Sequence, residues 1–274
     1  MAGHIALIGF GEAGSTFARA AGWAGAARAF DIRADRARVA AELGVPFAVS
    51  AAEALAGARL VLSLVTADAA LTVAQDFAPL LSPGALWCDM NSVAPETKRA
   101  AAAAIEAYDA RYVDVAVLAP VEPARLKVPL LLAGDAAEAA ADALSVAGFT
   151  NRRVVGHEVG RASAIKMIRS VMVKGIEALT AEMMLAATRA GVAEEVLASL
   201  DASERQASWF ARAAYNLERM ATHGARRAAE MEESARTLIA LGVAPMMTNG
   251  TVLRQREQAG HPLPTPKKPE GTGA

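Results

Sequence analysis

Short apolar runs and longer amphipathic stretches alternate along the first 150 residues of the chain. Ile5–Ile8, Ala27–Phe30, Leu60–Val65, Ala85–Asp89, Tyr112–Leu118 and Leu130–Ala133 are four to seven residues long. Most of them end at Gly, Asp or a polar turn, which is the signature of short buried strands. The segments between them are rich in Ala, Glu and Arg and read as helices, among them Asp35–Leu43, Ala67–Leu80 and Pro95–Tyr108. Pro95 follows Asn91–Ser92 and suits a first helical turn, where a missing N–H leaves nothing unsatisfied. Strands alternating with helices predict βαβ units around a mostly parallel sheet covered on both faces.

The pattern changes near residue 160. From Arg161 to about Gly191 runs one long helical pattern with a single internal glycine, Gly175, and no proline. Ala193–Leu200, Glu204–Thr222 and Ala225–Leu241 follow, all helical in composition, with a helix boundary read at His223–Gly224. The expected fold is therefore α/β: a Rossmann-type doubly wound sheet over 1–159, then an all-α domain over 160–260. The tail 261–274 holds four prolines and is expected to be flexible or to lie on a surface. No segment repeats at a fixed period.

Composition narrows the function classes. The chain is 54% hydrophobic and 21% charged, as a folded globular protein is. A net charge of −1 provides no global attraction to nucleic acid or to an anionic membrane. No uncharged stretch reaches the roughly 18–20 residues that a membrane span needs. Cys88, the single cysteine, lies in the apolar run Ala85–Cys88, reads as a buried inert thiol and has no disulfide partner. A reducing cytoplasm is the expected location. The run Ile5–Ile8 is too short for the apolar core of a signal peptide. The four histidines, at 4, 157, 223 and 261, are scattered, and no metal site is expected.

The first apolar run leads directly into Gly9–Phe10–Gly11–Glu12–Ala13–Gly14, and a helical pattern from Glu12 to about Trp23 follows. In this strand–turn–helix setting each glycine has a task. Gly9 makes the tight turn, Gly11 lets backbone approach a pyrophosphate, and Gly14 permits close helix–strand packing. The helix start offers free N–H groups and the positive end of its dipole to phosphates. Asp31 ends the second strand 22 residues after Gly9, where an acid accepts hydrogen bonds from an adenine-ribose diol. Its carboxylate favours NAD over NADP, whereas Arg33 and Arg36 are close enough in sequence to pair with a 2′-phosphate.

The long helix from Arg161 carries a polar stripe. With Lys166 at zero and 100° per residue, Ser163, Ser170 and Glu177 fall within about 60° and Lys174 at about 80°. Arg169 and Thr180 lie on the other side at about −60° and −40°. The rest of the circumference is apolar, so the stripe faces either water or a cleft. Hydride chemistry needs a partner that gives or takes a proton, and lysine serves when burial or a cationic neighbour tunes it. Arg169, one turn from Lys166, acts in that direction and also attracts a substrate carboxylate.

With these residues the sequence resembles the β-hydroxyacid dehydrogenase family, which includes 3-hydroxyisobutyrate dehydrogenase and 6-phosphogluconate dehydrogenase. The resemblance reaches to about Gln258 and is strongest in Ile8–Gly14, Asp89–Pro95 and Gly160–Lys166. It implies that Leu64, Val65 and Thr66 pass over the cofactor and that the Asn91–Ser92 loop meets its nicotinamide end. It also implies that Lys166 is the catalytic acid/base. Ala162 replaces the second glycine of the family's lysine motif, and Ser170 replaces the substrate-holding asparagine. Leu118–Ala119–Pro120 stands where the family has Ser-Gly-Gly. Ala229–Glu230, with Arg226 and Arg227 upstream, stands where it has a Lys-Asp pair. The chain thus looks like a divergent branch with its own helical domain.

The expectation is an NAD(P)-dependent oxidoreductase acting on a small hydroxy acid or related alcohol/carbonyl pair. Its cofactor would be held by Gly9, Phe10, Gly11, Glu12, Ala13, Gly14, Asp31, Arg33, Leu64, Val65, Thr66 and Asn91. Lys166 would be catalytic, with Ser92, Arg169, Ser170 and Lys174 positioning the substrate. Imine reduction on the same scaffold and a non-catalytic dinucleotide sensor are the alternatives. The apolar surface of the long helix, like the family resemblance, points to a homo-oligomer, a dimer or tetramer. Trp209, Phe210 and Tyr215 read as core or subunit-interface packing. Asp114, a charge inside a strand pattern, has no partner that the sequence names.

Overall fold

The computed structural model describes residues 4–203 and 208–262. Residues 204–207, within the predicted Glu204–Thr222 segment, and nearly all of the predicted tail lie outside the described residues. The chain forms two compact units, Met1–Ser170 and Val171–Ala274.

The first unit is built on a seven-stranded sheet. In chain order its elements are β1 (Ile5–Ile8), α1 (Glu12–Ala21), β2 (Ala27–Phe30), α2 (Arg36–Glu42), α3 (Ala51–Leu55), β3 (Leu60–Ser63) and α4 (Ala70–Phe77). Then come β4 (Leu86–Asp89), α5 (Pro95–Glu106), β5 (Arg111–Val117), β6 (Leu130–Ala133), α6 (Ala137–Val146), β7 (Arg152–Gly156) and the start of α7 (Arg161–Ala190). The spatial order is β2-β1-β3-β4-β5-β6-β7, and every neighbouring pair is parallel except β5 with β6. The chain leaves β1 toward β2 and then returns to place β3 on the other side of β1. That reversal opens a crevice at the carboxyl ends of β1 and β3, the place where open α/β sheets bind ligands.

Side-chain alternation along each strand divides the core into two layers. Leu7, Leu62, Leu86, Cys88, Val113 and Val115 face one layer with Phe17, Trp23, Leu144 and Phe149. Ala6, Ile8, Val61, Trp87 and Tyr112 face the other with Leu55, Ala74, Ala101 and Ile105. Strands covered on both faces explain the unbroken apolar runs in the sequence. β7 is missing from the predicted strands because it opens on Arg152–Arg153 and is only half-buried at the sheet edge.

The second unit comprises the remainder of α7 with α8 (Ala193–Ser203), α9 (Trp209–Ala240) and α10 (Met246–Gln258). The helix boundary predicted at His223–Gly224 is not there: α9 runs unbroken through both residues. Gly224 is needed for close approach rather than for a turn. A Cβ at this position would collide with the Gln255 carbonyl of α10 and come within 3.2 Å of Ala259. The Gly260 amide donates to the Ala221 carbonyl at 2.9 Å and closes the same contact. Buried Glu182 of α7 accepts from the Met247 amide (2.8 Å), the Thr248 amide (2.9 Å) and the Thr248 hydroxyl (2.6 Å) at the start of α10. Burial pushes this carboxyl up, but the Thr248 hydroxyl and the amides outweigh it and hold it below its ordinary value. An apolar cavity of about 500 Å³ adjoins Glu182, with Leu179, Met183, Ala187, Val196 and Leu238 in its wall.

Trp209 and Tyr215 lie 57% and 46% exposed on α9, so of the expected core or subunit-interface packing the core half fails for both. Arg212 and Arg219 cover their rings at 5.1 and 5.4 Å. The Phe210 side chain lies outside the described residues. No helix among the described residues is long and apolar enough to cross a membrane.

Candidate active site

Because β1, β3 and β4 are parallel and adjacent, their carboxyl ends align three loops along one sheet edge. These loops carry Gly9–Gly14, Leu64–Thr66 and Asn91–Ser92. Asp31 follows β2, on the far side of β1. From β2 to β4 the edge spans three strand intervals, about 14 Å at the usual spacing.

Local geometry explains the glycines. Gly9 has φ +93°, and a Cβ there would lie 2.5 Å from the Leu64 carbonyl oxygen. The first loop can therefore pack on the second only with glycine at this position. A Cβ on Gly14 would lie 2.6 Å from the Gly9 carbonyl oxygen, so α1 leaves the strand too closely for a side chain. Gly11 is different, because a Cβ there would meet nothing within 4 Å. Gly11 is also the N-cap of α1 and supplies no side-chain cap to its first amides. Glu12 and Ala13 open this first turn. The combination is an open cradle beside unshielded helix N–H groups, and it fits a pyrophosphate.

Asp31 accepts from the Phe10 amide at 2.7 Å through Oδ2 and from the Arg33 amide at 2.9 Å through Oδ1. It therefore ties the glycine loop to the end of β2, and each carboxylate oxygen retains a lone pair for a hydroxyl. The Arg33 guanidinium is engaged with Asp35 at 2.8 and 3.2 Å. In the second loop, the Thr66 hydroxyl holds the Asp68 carboxyl below its ordinary value. In the third, Asn91 Nδ2 donates to Ser63 Oγ at 2.9 Å, while its buried Oδ1 has no protein partner. A buried orphan acceptor beside the sheet edge suits a ligand donor.

Beneath the third loop lies a charged network. Lys98, on α5, is fully buried, as are Asp89 at the end of β4 and Asp114 on β5. Lys98 Nζ donates to the Asp89 carbonyl at 2.6 Å and lies 3.0 Å from its carboxylate and 3.5 Å from that of Asp114. The Tyr112 hydroxyl donates to Asp89 at 2.6 Å. Burial, followed by the Asp89 charge, holds this phenol protonated well above its ordinary range. Burial also pushes the Cys88 thiol up to about 12, with Asp89 adding to it, so the thiol stays inert.

The sequence left Asp114 without a partner, and the structure supplies, besides Lys98, three donors from two residues. Its Oδ2 accepts from the Gly160 amide (3.1 Å), the Ser163 amide (2.9 Å) and the Ser163 hydroxyl (3.1 Å). Asp114 thus caps the start of α7, where a negative charge also suits the helix dipole. Gly160 has φ +100°, and a Cβ there would lie 3.1 Å from Pro95 Cβ, so α7 begins hard against α5. One turn on, Lys166 Nζ donates to Ser92 Oγ at 2.5 Å.

The structure therefore brings Ser92 and Lys166 together, although they are 74 residues apart. Arg169 donates to the Leu118 carbonyl at 3.3 Å, which places it at the segment that departs from the family pattern. Ser170, half-buried, ends the first unit, and exposed Lys174 belongs to the second. Lys98 was absent from the sequence-derived candidates. Its signal was available: positions 98, 101, 102 and 105 form the buried face of α5, and the other three are Ala, Ala and Ile. No group of His, Cys, Asp or Glu among the described residues could hold a metal ion.

Comparison with known proteins agrees with this fold. Residues 4–151 match the NAD binding domain of 6-phosphogluconate dehydrogenase, and residues 187–258 match a domain of unknown function, DUF1932. A conserved hypothetical protein from Sinorhizobium meliloti 1021 is 40% identical over 93% of this chain and 88% of its own, with a TM-score of 0.63. A conserved protein of unknown function, described as structurally similar to 3-hydroxyacid dehydrogenases, is 29% identical over 93% and 96% (TM-score 0.62). The imine reductase from Myxococcus stipitatus, solved with NADP+ and, as a variant, with NAD+, shares the fold at a TM-score of 0.78. It is 18% identical, over 94% or 96% of this chain and 96% of its own. The chain is a member of the 6-phosphogluconate dehydrogenase-like NAD-binding family, with a helical second domain of the DUF1932 type.

Proposed function

We propose that this protein is an NAD(P)-dependent oxidoreductase acting on a small hydroxy acid or a related alcohol/carbonyl pair, with Lys166 as the proton-transfer group. The observation that carries the reading is the Lys166–Ser92 hydrogen bond at the sheet edge where the dinucleotide loops meet. Lys166 falls between the two matched family segments, so its assignment rests on this geometry and on the motif Gly160–Lys166. A bound nicotinamide dinucleotide supplies or accepts the hydride.

The chain's own residues do the rest. Gly9, Gly11, Gly14 and the first turn of α1 hold the pyrophosphate, and Asp31 holds the adenine-ribose hydroxyls. Leu64, Val65 and Thr66 would lie over a bound cofactor, and Asn91 Oδ1 would accept a donor from it. Lys166 gives a proton to, or takes one from, the substrate heteroatom, with Ser92 orienting its ammonium. Arg169 and Ser170 bind the substrate's polar end. NAD is favoured, because Asp31 repels a 2′-phosphate and Arg33 is already paired with Asp35.

Imine reduction is the second reading. It is favoured by Leu118–Ala119–Pro120 in place of the family's substrate-binding Ser-Gly-Gly, and by the likeness to imine reductases. We also propose a homo-oligomer, since Val171, Met172, Ile176 and Leu179 of α7 stand exposed. Sedimentation as a monomer at micromolar concentration would contradict it.

The test is oxidation of NADH and of NADPH against a panel of small α-keto acids, aldehydes and cyclic imines. Turnover with carbonyl compounds supports the first reading and turnover with imines alone supports the second. Tight cofactor binding with no turnover across the panel would favour a non-catalytic sensor.

A further inference from the structure

Lys98 lies beneath the site rather than in it. Its side chain has no exposure and lies between the carboxyl groups of Asp89 and Asp114, at 3.0 and 3.5 Å. Such a cluster is a poor source of stability, because an apolar replacement of similar volume usually serves as well. What it does provide is a junction. Through the carbonyl and carboxylate of Asp89, Lys98 grips the end of β4. The same Asp89 carboxylate accepts the Asn91 amide at 2.9 Å and so sets the loop that presents Ser92. Through Asp114, Lys98 faces the acceptor that holds the Gly160 and Ser163 amides one turn before Lys166. Both halves of the Ser92–Lys166 contact therefore hang from carboxylates that share one ammonium.

We propose that Lys98 is a positioning residue for this site: held between Asp89 and Asp114, it fixes the Ser92 loop against the first turn of α7 and so sets the Ser92–Lys166 contact. The proposal rests on the reading of Lys166 as the proton-transfer group. Misplacement of such a contact by about 1 Å can cost on the order of 100-fold in rate.

The test uses the full-length protein with its accessible lysines ¹³C-dimethylated. The Lys166 methyl resonance, assigned by its loss in Lys166→Arg, is followed through a pH titration. Ser92→Ala is expected to move the Lys166 midpoint. Lys98→Met is expected to move it as well, and Lys98→Met combined with Ser92→Ala to move it no further than Ser92→Ala alone. With a substrate in hand, Lys98→Met is expected to lower kcat at least about tenfold, with KM for NADH changed less than about threefold. A Lys166 midpoint unmoved by Lys98→Met, or moved equally with and without Ser92, overturns the proposal. If Lys98→Met does not fold, Lys98→Gln, neutral and still able to donate to the Asp89 carbonyl, carries the same comparison with the same deciding results. A failure to find turnover defeats the reading of Lys166 without touching the midpoint comparison, so the two failures are distinguishable.

Discussion

Asp114→Ala is the perturbation whose size can be worked most directly from the structure. The substitution deprives the Gly160 amide, the Ser163 amide and the Ser163 hydroxyl of their common acceptor. A buried donor left unsatisfied costs about 1–3 kcal/mol, although the Ser163 hydroxyl also donates to the Gly160 carbonyl and is not orphaned. Lys98 keeps Asp89, so the full 3–5 kcal/mol penalty of breaking a buried ion pair, roughly, is not incurred. Removing a buried carboxylate also returns its desolvation cost. The net destabilisation expected is about 2–4 kcal/mol, or a fall of roughly 4–16 °C in melting temperature for a unit of this size. Trp23 and Trp87 are buried in the first unit and Trp209 is exposed in the second, so tryptophan fluorescence during urea unfolding follows mainly the unit that holds Asp114. Asp114→Asn, which retains one carbonyl acceptor for the α7 amides, is expected to cost about half as much. A loss below about 0.5 kcal/mol for Asp114→Ala would refute the idea that this carboxylate holds the start of α7.

Other outcomes follow from the same geometry. Gly11→Val should cost at most about 1 kcal/mol of stability, because its Cβ enters open space, yet weaken NADH binding at least about tenfold. Unchanged affinity in a fluorescence titration would place the dinucleotide elsewhere. Gly160→Ala forces a side chain into φ +100° against Pro95 and should lower stability by about 1–3 kcal/mol in thermal melts. Glu182 has a depressed folded pKa, so its contribution is fully present above its ordinary value of 4.5 and is lost as the pH falls through the folded value. Glu182→Gln should therefore destabilise the second unit by about 1–2 kcal/mol at pH 7, a difference that shrinks toward pH 3. A gap independent of pH would show that the charge on Glu182 is not what holds α10.

Much of the first unit was legible because its strands are buried on both faces and its punctuation is local. The runs at Ile5–Ile8, Ala27–Phe30 and Leu130–Ala133 match the observed strands at both ends. β7 escaped because an edge strand that opens on two arginines carries no apolar run. Gly224 was read as a boundary because glycine usually ends helices, whereas here it admits a helix 31 residues away. The glycine loop and Lys166 could be singled out as candidates from motif and periodicity. The partners of Asp114 could not, because they lie 46 and 49 residues along the chain and become neighbours only when β5 pairs with β4 and α7 returns to the sheet. Lys98 was overlooked for a related reason: a lysine among alanines reads as solvated until the 98/101/102/105 spacing is compared with the buried face of the helix.

Whether Lys166 moves the proton while the glycine loop holds the dinucleotide is decided by comparing Lys166→Ala with the unmodified protein under saturating NADH and the best substrate from the panel. The expected result is a kcat lower by about 10²–10⁴-fold with an unchanged dissociation constant for NADH. Near-normal turnover by Lys166→Ala would contradict it.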